Sequence, residues 1–355
     1  MDSRKVQQIV VVGGGSGGLK LATRLGHKYR RKKDIEVTLV DDTLTHVWKP
    51  LLHEIAAGTL DIHEDECNYL AHARRHHFSF VWGRMQGLDR ADRMITLAPL
   101  QAADDSDTLP AREQNYDLLV MAVGGISDDF GVPGVNEHCY RLDSAPEAER
   151  FRQRLLKTYL RAGQPGKDAP PGHLDVAIVG GGATGVELAA ELDKMRRELN
   201  QYGAVSIDAI ESTQLTIIER APRLLPGLHE DLAESTETEL KERGIAVRTS
   251  EAVAKVTAEG VHTAGGELIP ARFTVWAAGV RGHAFLADLD GLETNGRDQL
   301  LVHRNLQSTR DERIFALGDC AACPLDDSGK LFVPPRAQAA DQQATFLRKI
   351  IPKVL

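Results

Sequence analysis

The sequence lacks the apolar runs of a membrane-spanning protein, since no window approaches the ~18 consecutive apolar residues that a transmembrane helix needs. Cysteine is scarce, with four in 355 residues, too few for a disulfide framework. An excess of basic residues is also missing: the net charge is −8, which argues against nucleic acid as the main partner. No signal peptide is evident, because a strand-like run begins almost at once. We therefore expect a globular protein of a reducing cytosol.

What the sequence does have is an ordinary globular composition, with 42% hydrophobic and 26% charged residues. A chain of this length can build two domains, each with a sizeable core. The glycine pattern indicates what those domains bind.

The first glycine pattern follows the apolar run from Ile9 to Val12, which is typical of a strand buried on both faces of a parallel sheet. Gly13, Gly15 and Gly18 then form G-x-G-x-x-G. In a dinucleotide-binding turn the first glycine makes the tight turn, the second admits the pyrophosphate, and the third lets the helix pack on the strand. Asp41 ends the next strand, where a ribose-binding acid is expected. Its alternative role is that of a turn residue capping the strand.

The pattern occurs a second time, after the apolar run from Val176 to Val179, as Gly180, Gly182 and Gly185. One such turn is a weak signal, but two in one chain predict two nucleotide cofactors held face to face. Glu219 ends the following strand and is the candidate ribose ligand. A carboxylate there would bind both ribose hydroxyls of NADH and repel the 2′-phosphate of NADPH.

Two details bear on the choice of NADH. The spacing from Gly185 to Glu219 is longer than the usual ~20 residues, so we expect residues 201–213 to loop out between helix and strand. Arg220 follows the acid directly and weakens the preference slightly.

Further elements follow from hydrophobic period and turn residues. Helices are predicted over 67–77, 144–161, 186–199, 231–243 and from 336 onward. Apolar strands are predicted before Gly124, Gly279 and Gly318, and LLVHRNLQS also has a strand-like pattern. We count Gly124 and Gly279 among the cofactor-binding residues. The predicted fold class is α/β, with two Rossmann-like dinucleotide-binding domains.

Six motifs carry a resemblance along the whole chain: VVVGGGSGG, HVWKPLLHE, VGGGATGVE, VWAAG, GDC and PPRAQAADQQA. In this order they resemble the type II NADH:quinone oxidoreductases, which belong to the glutathione-reductase-like pyridine nucleotide-disulphide oxidoreductase superfamily. The resemblance implies that the first turn binds FAD, that the second binds NADH, and that electrons pass to a membrane quinone without proton pumping. It also implies an inserted NADH-binding domain at 143–297, between FAD-binding parts at 1–142 and 298–355.

The resemblance also places residues beside the flavin. Lys49 and Pro50 match its WKPL stretch, where a lysine would favour the reduced, anionic flavin by charge attraction; the alternative is a surface lysine. Gly318 leaves room for the cofactor and Asp319 accepts hydrogen bonds from ribityl hydroxyls, although a strand-ending turn suits any Gly-Asp pair. Ala337 begins a helix whose N-terminus would stabilise negative charge on the flavin.

A catalytic set is implied in the same way, namely Glu187, Gln338, Gln342 and Lys49. Gln338 and Gln342 are four residues apart, hence on one helix face, and their amides suit quinone carbonyls, whereas most helix glutamines are simply solvated. Glu187 matches a glutamate near the nicotinamide and quinone. It is equally an acid favoured in the first turn of a helix by the dipole.

Cysteine and histidine pairs offer other chemistry. Cys320 and Cys323 form C-x-x-C, which can be a redox disulfide or half a metal site. Flavin disulfide reductases place their cysteines elsewhere, and no second pair completes a zinc site. His72 and His76 are flanked by arginines, whose charge opposes metal binding. No metal site is therefore predicted.

Two alternative functions remain. A sulfide:quinone oxidoreductase shares this architecture but needs reactive cysteines near the flavin. A redox-sensing flavoprotein with slow turnover would bind the same cofactors.

Family members continue past the last predicted helix with a segment that completes the flavin and quinone domain and adds amphipathic helices on the membrane. This chain stops at Leu355, so we expect a truncated protein. The family implies peripheral attachment to the cytoplasmic side of the cell membrane, and a shortened chain would be soluble. A homodimer is a further expectation.

Overall fold

The computed structural model describes residues 6–61, 66–101, 108–162, 174–203 and 213–355. Their helices are α1 (Ser16–Tyr29), α2 (Leu52–Ala57), α3 (Tyr69–His76), α4 (Val135–His138), α5 (Ala145–Ala162), α6 (Ala183–Gln201), α7 (Glu230–Glu242) and α8 (Ala337–Val354). Most of the loop expected at 201–213 falls outside the described residues.

The chain divides into two compact units, and all strands fall within one or the other. The first unit comprises Met1–Trp48, Glu66–Ile126 and Val280–Leu355, and the second comprises Lys49–Asp65 and Ser127–Gly279. Strands of the first unit are β1 (Gln7–Val12), β2 (Ile35–Asp41), β3 (Thr45–His46), β4 (Cys67–Asn68), β5 (Ser79–Trp82), β6 (Met85–Asp89), β7 (Met94–Leu97), β8 (Leu100–Gln101), β9 (Thr108–Leu109), β10 (Arg112–Asn115), β11 (Leu118–Met121), β20 (Leu300–Leu301), β21 (Ile314–Ala316) and β22 (Ala321–Ala322). Strands of the second unit are β12 (Cys139–Arg141), β13 (Val176–Val179), β14 (Leu215–Ile218), β15 (Ala246–Arg248), β16 (Val253–Thr257), β17 (Gly260–Thr263), β18 (Leu268–Pro270) and β19 (Phe273–Trp276).

The first unit is built on a parallel sheet in the order β21-β11-β1-β2-β5. Residues Ile9 to Val12 of the central strand are all buried, as expected for a parallel strand covered on both faces. Because β1 lies between β2 and β11, the strand order reverses at β1. Ligands of such sheets bind beyond the carboxyl ends of the strands at this switch point, which here is the first glycine turn.

The second unit repeats this plan with a parallel sheet in the order β12-β19-β13-β14-β15. All four residues of β13 are buried, and the strand lies between β14 and β19. The second glycine turn therefore stands at the switch point of its own sheet. A three-stranded antiparallel sheet, β16-β17-β18, is added to the same unit.

Helix α8 confirms the expected last helix and packs on α1. Its buried residues Ala340, Ala344, Leu347 and Ile351 recur at helical spacing and join the core of the first unit. Within the described residues, no helix combines the length and the apolar character needed to cross a bilayer.

The compact units have other bounds than the predicted domains 1–142, 143–297 and 298–355. Strand β12 pairs with β19, so the chain enters the second unit before residue 143. Leu286, Leu289 and Leu292 belong to the core of the first unit, so the chain returns before residue 298. The short helix α2 belongs to the second unit, whereas its sequence showed no clear period.

One strand expectation was mostly wrong. LLVHRNLQS forms only the two-residue strand β20, and of its remaining residues Val302, Gln307 and Ser308 make isolated bridges.

Candidate active site

The two glycine turns have the same backbone geometry. Gly13 has φ +102° and Gly180 has φ +116°, a conformation that L side chains rarely adopt. A Cβ on Gly18 would lie 1.8 Å from the carbonyl oxygen of Gly13, and one on Gly185 would lie 1.9 Å from that of Gly180. Only glycine at these four positions lets each helix start so close to the end of its strand.

The middle glycine of each turn has empty space in the direction in which a Cβ would point. Gly15 and Gly182 have φ −63° and −75°, which any residue can adopt. A Cβ added at either position would meet no atom within 4 Å. These two glycines leave space at a helix N-terminus, and backbone N–H groups there suit a pyrophosphate.

A carboxylate is hydrogen-bonded into each glycine turn. Oδ2 of Asp41 accepts the N–H of Gly14 at 2.6 Å, and Oε2 of Glu219 accepts that of Gly181, also at 2.6 Å. The second oxygen of each carboxylate accepts an N–H two residues along the chain. Both acids thus cap their strand ends and at the same time lie at the turns, so the two roles considered for Asp41 are compatible.

A cavity of about 580 Å³ opens beside the first turn, within the range typical of ligand sites. It is lined by Val12, Gly13, Val40, Asp41, Asp42, Gly83, Arg84, Met85, Gln86, Ala98, Val123, His283, Ala284 and Phe285. The floor is the carboxyl end of β1 and β2, and Asp41 stands at its wall. These residues fit the adenosine part of an FAD, with Asp41 in reach of a ribose.

Tyr69 is a residue of this site that the sequence did not reveal. Its side chain is 2% exposed, and its hydroxyl donates to the carbonyl oxygen of Gly14 at 2.8 Å. Burial is the main reason that the pKa of Tyr69 is raised, so the hydroxyl keeps its proton. Gly14 is therefore held from both sides, by Tyr69 at its C=O and by Asp41 at its N–H.

We expect Tyr69→Phe to weaken FAD binding several-fold and to lower the free energy of unfolding by about 1 kcal/mol, because the buried carbonyl of Gly14 loses its partner. Tyr116→Phe is the matched control: Tyr116 is also 2% exposed, and among the described residues its hydroxyl has no hydrogen-bond partner. Flavin fluorescence titration of the apoprotein and thermal unfolding would measure both effects. Equal losses in the two variants would contradict a specific role for Tyr69.

The Gly-Asp pair lies at the same end of the first sheet. Gly318, with φ +72°, follows β21, and its N–H donates to Oε1 of Gln343 at 2.7 Å. The carbonyl of Asp319 accepts from Nε2 of Gln299 at 2.8 Å. A Cβ on Gly125, in the loop after β11, would lie 2.7 Å from the carbonyl oxygen of Arg281 and 3.0 Å from the Cβ of Asp319, so glycine is favoured there. Gln343, Gln299 and Gly125 were not predicted as site residues.

Helix α8 begins at Ala337, one residue after the predicted start, and lies close to the first glycine turn. A Cβ on Gly17 would meet Leu317 Cδ1 at 2.3 Å and the carbonyl oxygen of Ala340 at 3.2 Å, so this glycine admits α8 against α1. Gln338 and Gln342 lie on the exposed face of the helix, where both amides can meet a ligand.

In the second unit, the helix that follows the WKPL stretch, α2, packs on α6, the helix of the second turn. The buried ring of His53 in α2 has Nδ1 3.6 Å from Oε2 of Glu187. Lys49 begins a short 3₁₀ turn with Pro50, and its Nζ is 3.9 Å from Oδ1 of Asp143. His53 is a further residue that sequence reasoning missed. The predicted place of Lys49 and Pro50 beside a flavin stays a prediction.

Gly124 and Gly279 both take the left-handed conformation that glycine favours, with φ +71° and +68°. Gly124 follows β11 in the first unit and has open space on its side-chain side, whereas Gly279 follows β19 in the second. Each therefore stands at the carboxyl end of a strand that flanks a switch point.

The cysteine and histidine pairs are either buried or engaged in local hydrogen bonds. Cys320 and Cys323 are buried and carry free thiols, and burial raises the pKa of Cys320 to about 12. A thiol of that pKa is a poor nucleophile. His72 hydrogen-bonds Thr23, and the ring of His76 is 2.7 Å from that of His27. Across the described part of the chain, no three His, Cys, Asp or Glu side chains come together as a metal site.

Comparison with known proteins places this geometry in a family. Residues 7–344 match the pyridine nucleotide-disulphide oxidoreductase family. A type II NADH:quinone oxidoreductase of Haemophilus influenzae is 42% identical, over 98% of this chain and 80% of its own length.

Solved structures share the fold. NDH2 of Plasmodium falciparum in complex with NADH has a TM-score of 0.85 at 18% identity, covering 98% of this chain and 83% of that one. The sulfide:quinone oxidoreductase of Aquifex aeolicus has a TM-score of 0.76 at 20% identity, covering 98% and 77%. The resemblance to family motifs in the sequence is thus confirmed, and the chain belongs to the pyridine nucleotide-disulphide oxidoreductases and, within them, to the type II NADH:quinone oxidoreductases.

Proposed function

We propose that this protein oxidises NADH and reduces a quinone, with FAD as its bound cofactor. The observation that carries the proposal is the duplicated glycine turn, each copy with a carboxylate hydrogen-bonded into it. When bound, FAD supplies the chemistry that couples a two-electron hydride donor to a quinone acceptor. The chain's own groups bind and orient the partners and stabilise charge.

Residues of the first unit bind different parts of FAD. Asp41 binds the FAD ribose, and Gly15 admits the pyrophosphate to the start of α1. Asp319 accepts hydrogen bonds from the ribityl hydroxyls, while Gly318 keeps that approach free. Ala337 places the positive end of α8 near the flavin ring, which favours negative charge there.

The second unit binds and selects the reductant. Gly182 admits the NADH pyrophosphate, and Glu219 accepts hydrogen bonds from the ribose hydroxyls. Glu187 and Lys49 contribute charge on the nicotinamide side. Gln338 and Gln342 of the first unit hold the quinone carbonyls through their amide N–H groups.

Cofactor choice is the first test. We expect Glu219→Gln to lower kcat/KM for NADH roughly tenfold and to improve NADPH use relative to NADH, because the like charge facing the 2′-phosphate is removed. The carboxylate now accepts hydrogen bonds from the N–H groups of Gly181 and Ala221. A glutamine has only one oxygen, so its NH₂ group would face one of these two donors and that hydrogen bond would be lost.

Steady-state kinetics with both nucleotides would measure this change. Glu234→Gln removes a negative charge from the exposed face of α7 in the same unit and should leave the ratio unaltered. Equal kcat/KM for NADH and NADPH in the parent enzyme would contradict the role of Glu219.

Three finer assignments belong to the same proposal. The FAD-binding part comprises a segment at each end of the chain, with the NADH-binding part inserted between them. The protein acts peripherally at the cytoplasmic side of the cell membrane, supported by Leu331 and Phe332, which are 60% and 40% exposed next to Lys330. It associates as a homodimer.

Sulfide is the alternative electron donor, since the Aquifex aeolicus protein shares the fold. The thiol of Cys320 is fully buried and that of Cys139 has its pKa raised to about 12, chiefly by burial, which favours NADH instead. Quinone reduction by FAD-loaded protein, with NADH or sulfide as donor, tests the proposal. Sulfide-driven turnover that Cys320→Ser or Cys139→Ser abolishes would overturn it.

A further inference from the structure

Phe130 is an exposed aromatic residue in a strained backbone conformation. Its side chain is 49% exposed, and its φ is +51°. A bulky residue in the left-handed region is uncommon, and such outliers cluster at ligand sites. No core packing accounts for a large ring that is half in solvent, so its position calls for a functional explanation.

The loop that carries Phe130 is fixed by buried groups. Asp128 is 8% exposed, and its Oδ1 accepts the N–H of Phe130 at 2.9 Å. The carbonyl of Asp128 accepts from Nε1 of Trp276, a 2% exposed residue at the end of β19. The backbone that carries the aromatic ring is therefore tied to the sheet of the second unit.

The ring lies at the second glycine turn's end of that sheet. A Cβ on Gly279, which follows β19, would be 2.4 Å from Cζ of Phe130. The ring thus covers the backbone of Gly279, and this gives the predicted site glycine a physical role. On the β14 side, Arg220 directly follows Glu219 and carries its guanidinium over the same ring.

The separation of the two groups is informative. Cζ of Arg220 is 6.0 Å from the centroid of the Phe130 ring. Stacked groups in direct contact are about 3.5 Å apart, and a flat ring between two others needs about 7 Å. The observed distance is at the outer limit of a cation–π contact, ~6 Å, and the exposed arginine side chain can move outward to admit one planar ring between the two groups.

We propose that Phe130 and Arg220 form a clamp for the adenine ring of NADH; this rests on the proposed binding of NADH at the second turn. Adenine presents two flat faces, one for the aromatic ring and one for the guanidinium. Glu219, next in the chain to Arg220, binds the adjoining ribose. Arg220 is thereby directed to the base, which reconciles a basic residue at this position with a preference for NADH.

Three nucleotides test the clamp. NADH and ADP-ribose contain adenine, whereas reduced nicotinamide mononucleotide does not. We expect Phe130→Ala to raise the Kd of ADP-ribose, measured by calorimetry, and the KM for NADH, measured by steady-state kinetics, each roughly tenfold. The KM for reduced nicotinamide mononucleotide and the kcat at saturating NADH should stay unchanged. Arg220→Ala should act in the same direction.

Control variants separate this from a structural effect. Phe130→Tyr keeps the ring and should retain parent affinity, and Tyr202→Ala removes a 78% exposed aromatic ring of the same unit and should change nothing. Unaltered ADP-ribose affinity in Phe130→Ala, or an equal loss for ADP-ribose and for reduced nicotinamide mononucleotide, would overturn the clamp while leaving the proposed function intact. A parent protein that binds neither NADH nor ADP-ribose would overturn the proposed function and the clamp together.

Discussion

Gly182→Val should leave the protein folded and loaded with FAD while lowering its affinity for NADH roughly a hundredfold or more, since a side chain there collides with the pyrophosphate. The backbone at Gly182 has φ −75°, which valine adopts readily, and the space beside it is open. The substitution therefore removes room for the ligand without removing any contact of the protein. Equilibrium binding of ADP-ribose, which carries the same pyrophosphate and does not reduce the flavin, would measure it, with the flavin absorbance and the melting temperature as readouts of integrity.

The paired variant Gly15→Val should do the opposite, because the equivalent space at the first turn belongs to FAD. We expect it to purify without flavin and to keep its affinity for ADP-ribose. Gly185→Ala differs from both: its Cβ would be 1.9 Å from the carbonyl oxygen of Gly180, so the turn itself must move and thermal stability should fall.

Gly265→Val is the control, since a Cβ at Gly265 meets only side-chain atoms at 3.6 Å or more. Normal NADH binding by Gly182→Val, or an equal loss in Gly265→Val, would remove the second turn from the NADH site.

A double substitution on α8 should separate the two halves of the reaction. Gln338→Ala with Gln342→Ala should leave anaerobic reduction by NADH within about twofold of the parent and slow reoxidation by quinone roughly tenfold or more, because each lost amide removes about 1–1.5 kcal/mol of hydrogen bonding to the acceptor carbonyls. Both side chains are exposed, so the fold should be unaffected. Stopped-flow absorbance with NADH first and a water-soluble quinone second would give both rates.

Gln343→Ala, next to Gln342 in the chain, serves as a comparison for the double variant. Gln343 faces inward and accepts the N–H of Gly318, so its loss should weaken FAD retention instead of quinone reduction. If the double variant of Gln338 and Gln342 lost NADH-driven reduction while reoxidation stayed normal, the assignment of the exposed face of α8 to quinone would be wrong.

The features that the sequence predicted well are those whose chemistry is local. The left-handed turn at Gly13 and the close contact between α1 and that turn at Gly18 both require glycine. The residue type therefore predicts the local geometry. Apolar runs such as Val176 to Val179 likewise identify strands buried on both faces. The repeat of one local pattern at two places was enough to predict two nucleotide-binding sheets.

The supporting residues could not be predicted from the sequence because they reach the site through tertiary packing. Tyr69 comes from a helix beyond β2, and Gln299 from the loop before β20, and neither stands in a recognisable spacing. His53 belongs to a short helix whose sequence has no clear period, and Phe130 sits in a loop fixed by Asp128. Their roles follow from partners distant in sequence, which no single-chain pattern encodes.

Anaerobic titration of the purified, FAD-loaded protein with NADH, followed by addition of a quinone, tests the central claim most directly. The proposal predicts that one equivalent of NADH bleaches the flavin absorbance near its visible maximum, that NADPH does so much more slowly, and that quinone then restores the oxidised spectrum. A flavin that NADH does not bleach, or one that NADH bleaches and quinone leaves reduced, would contradict it.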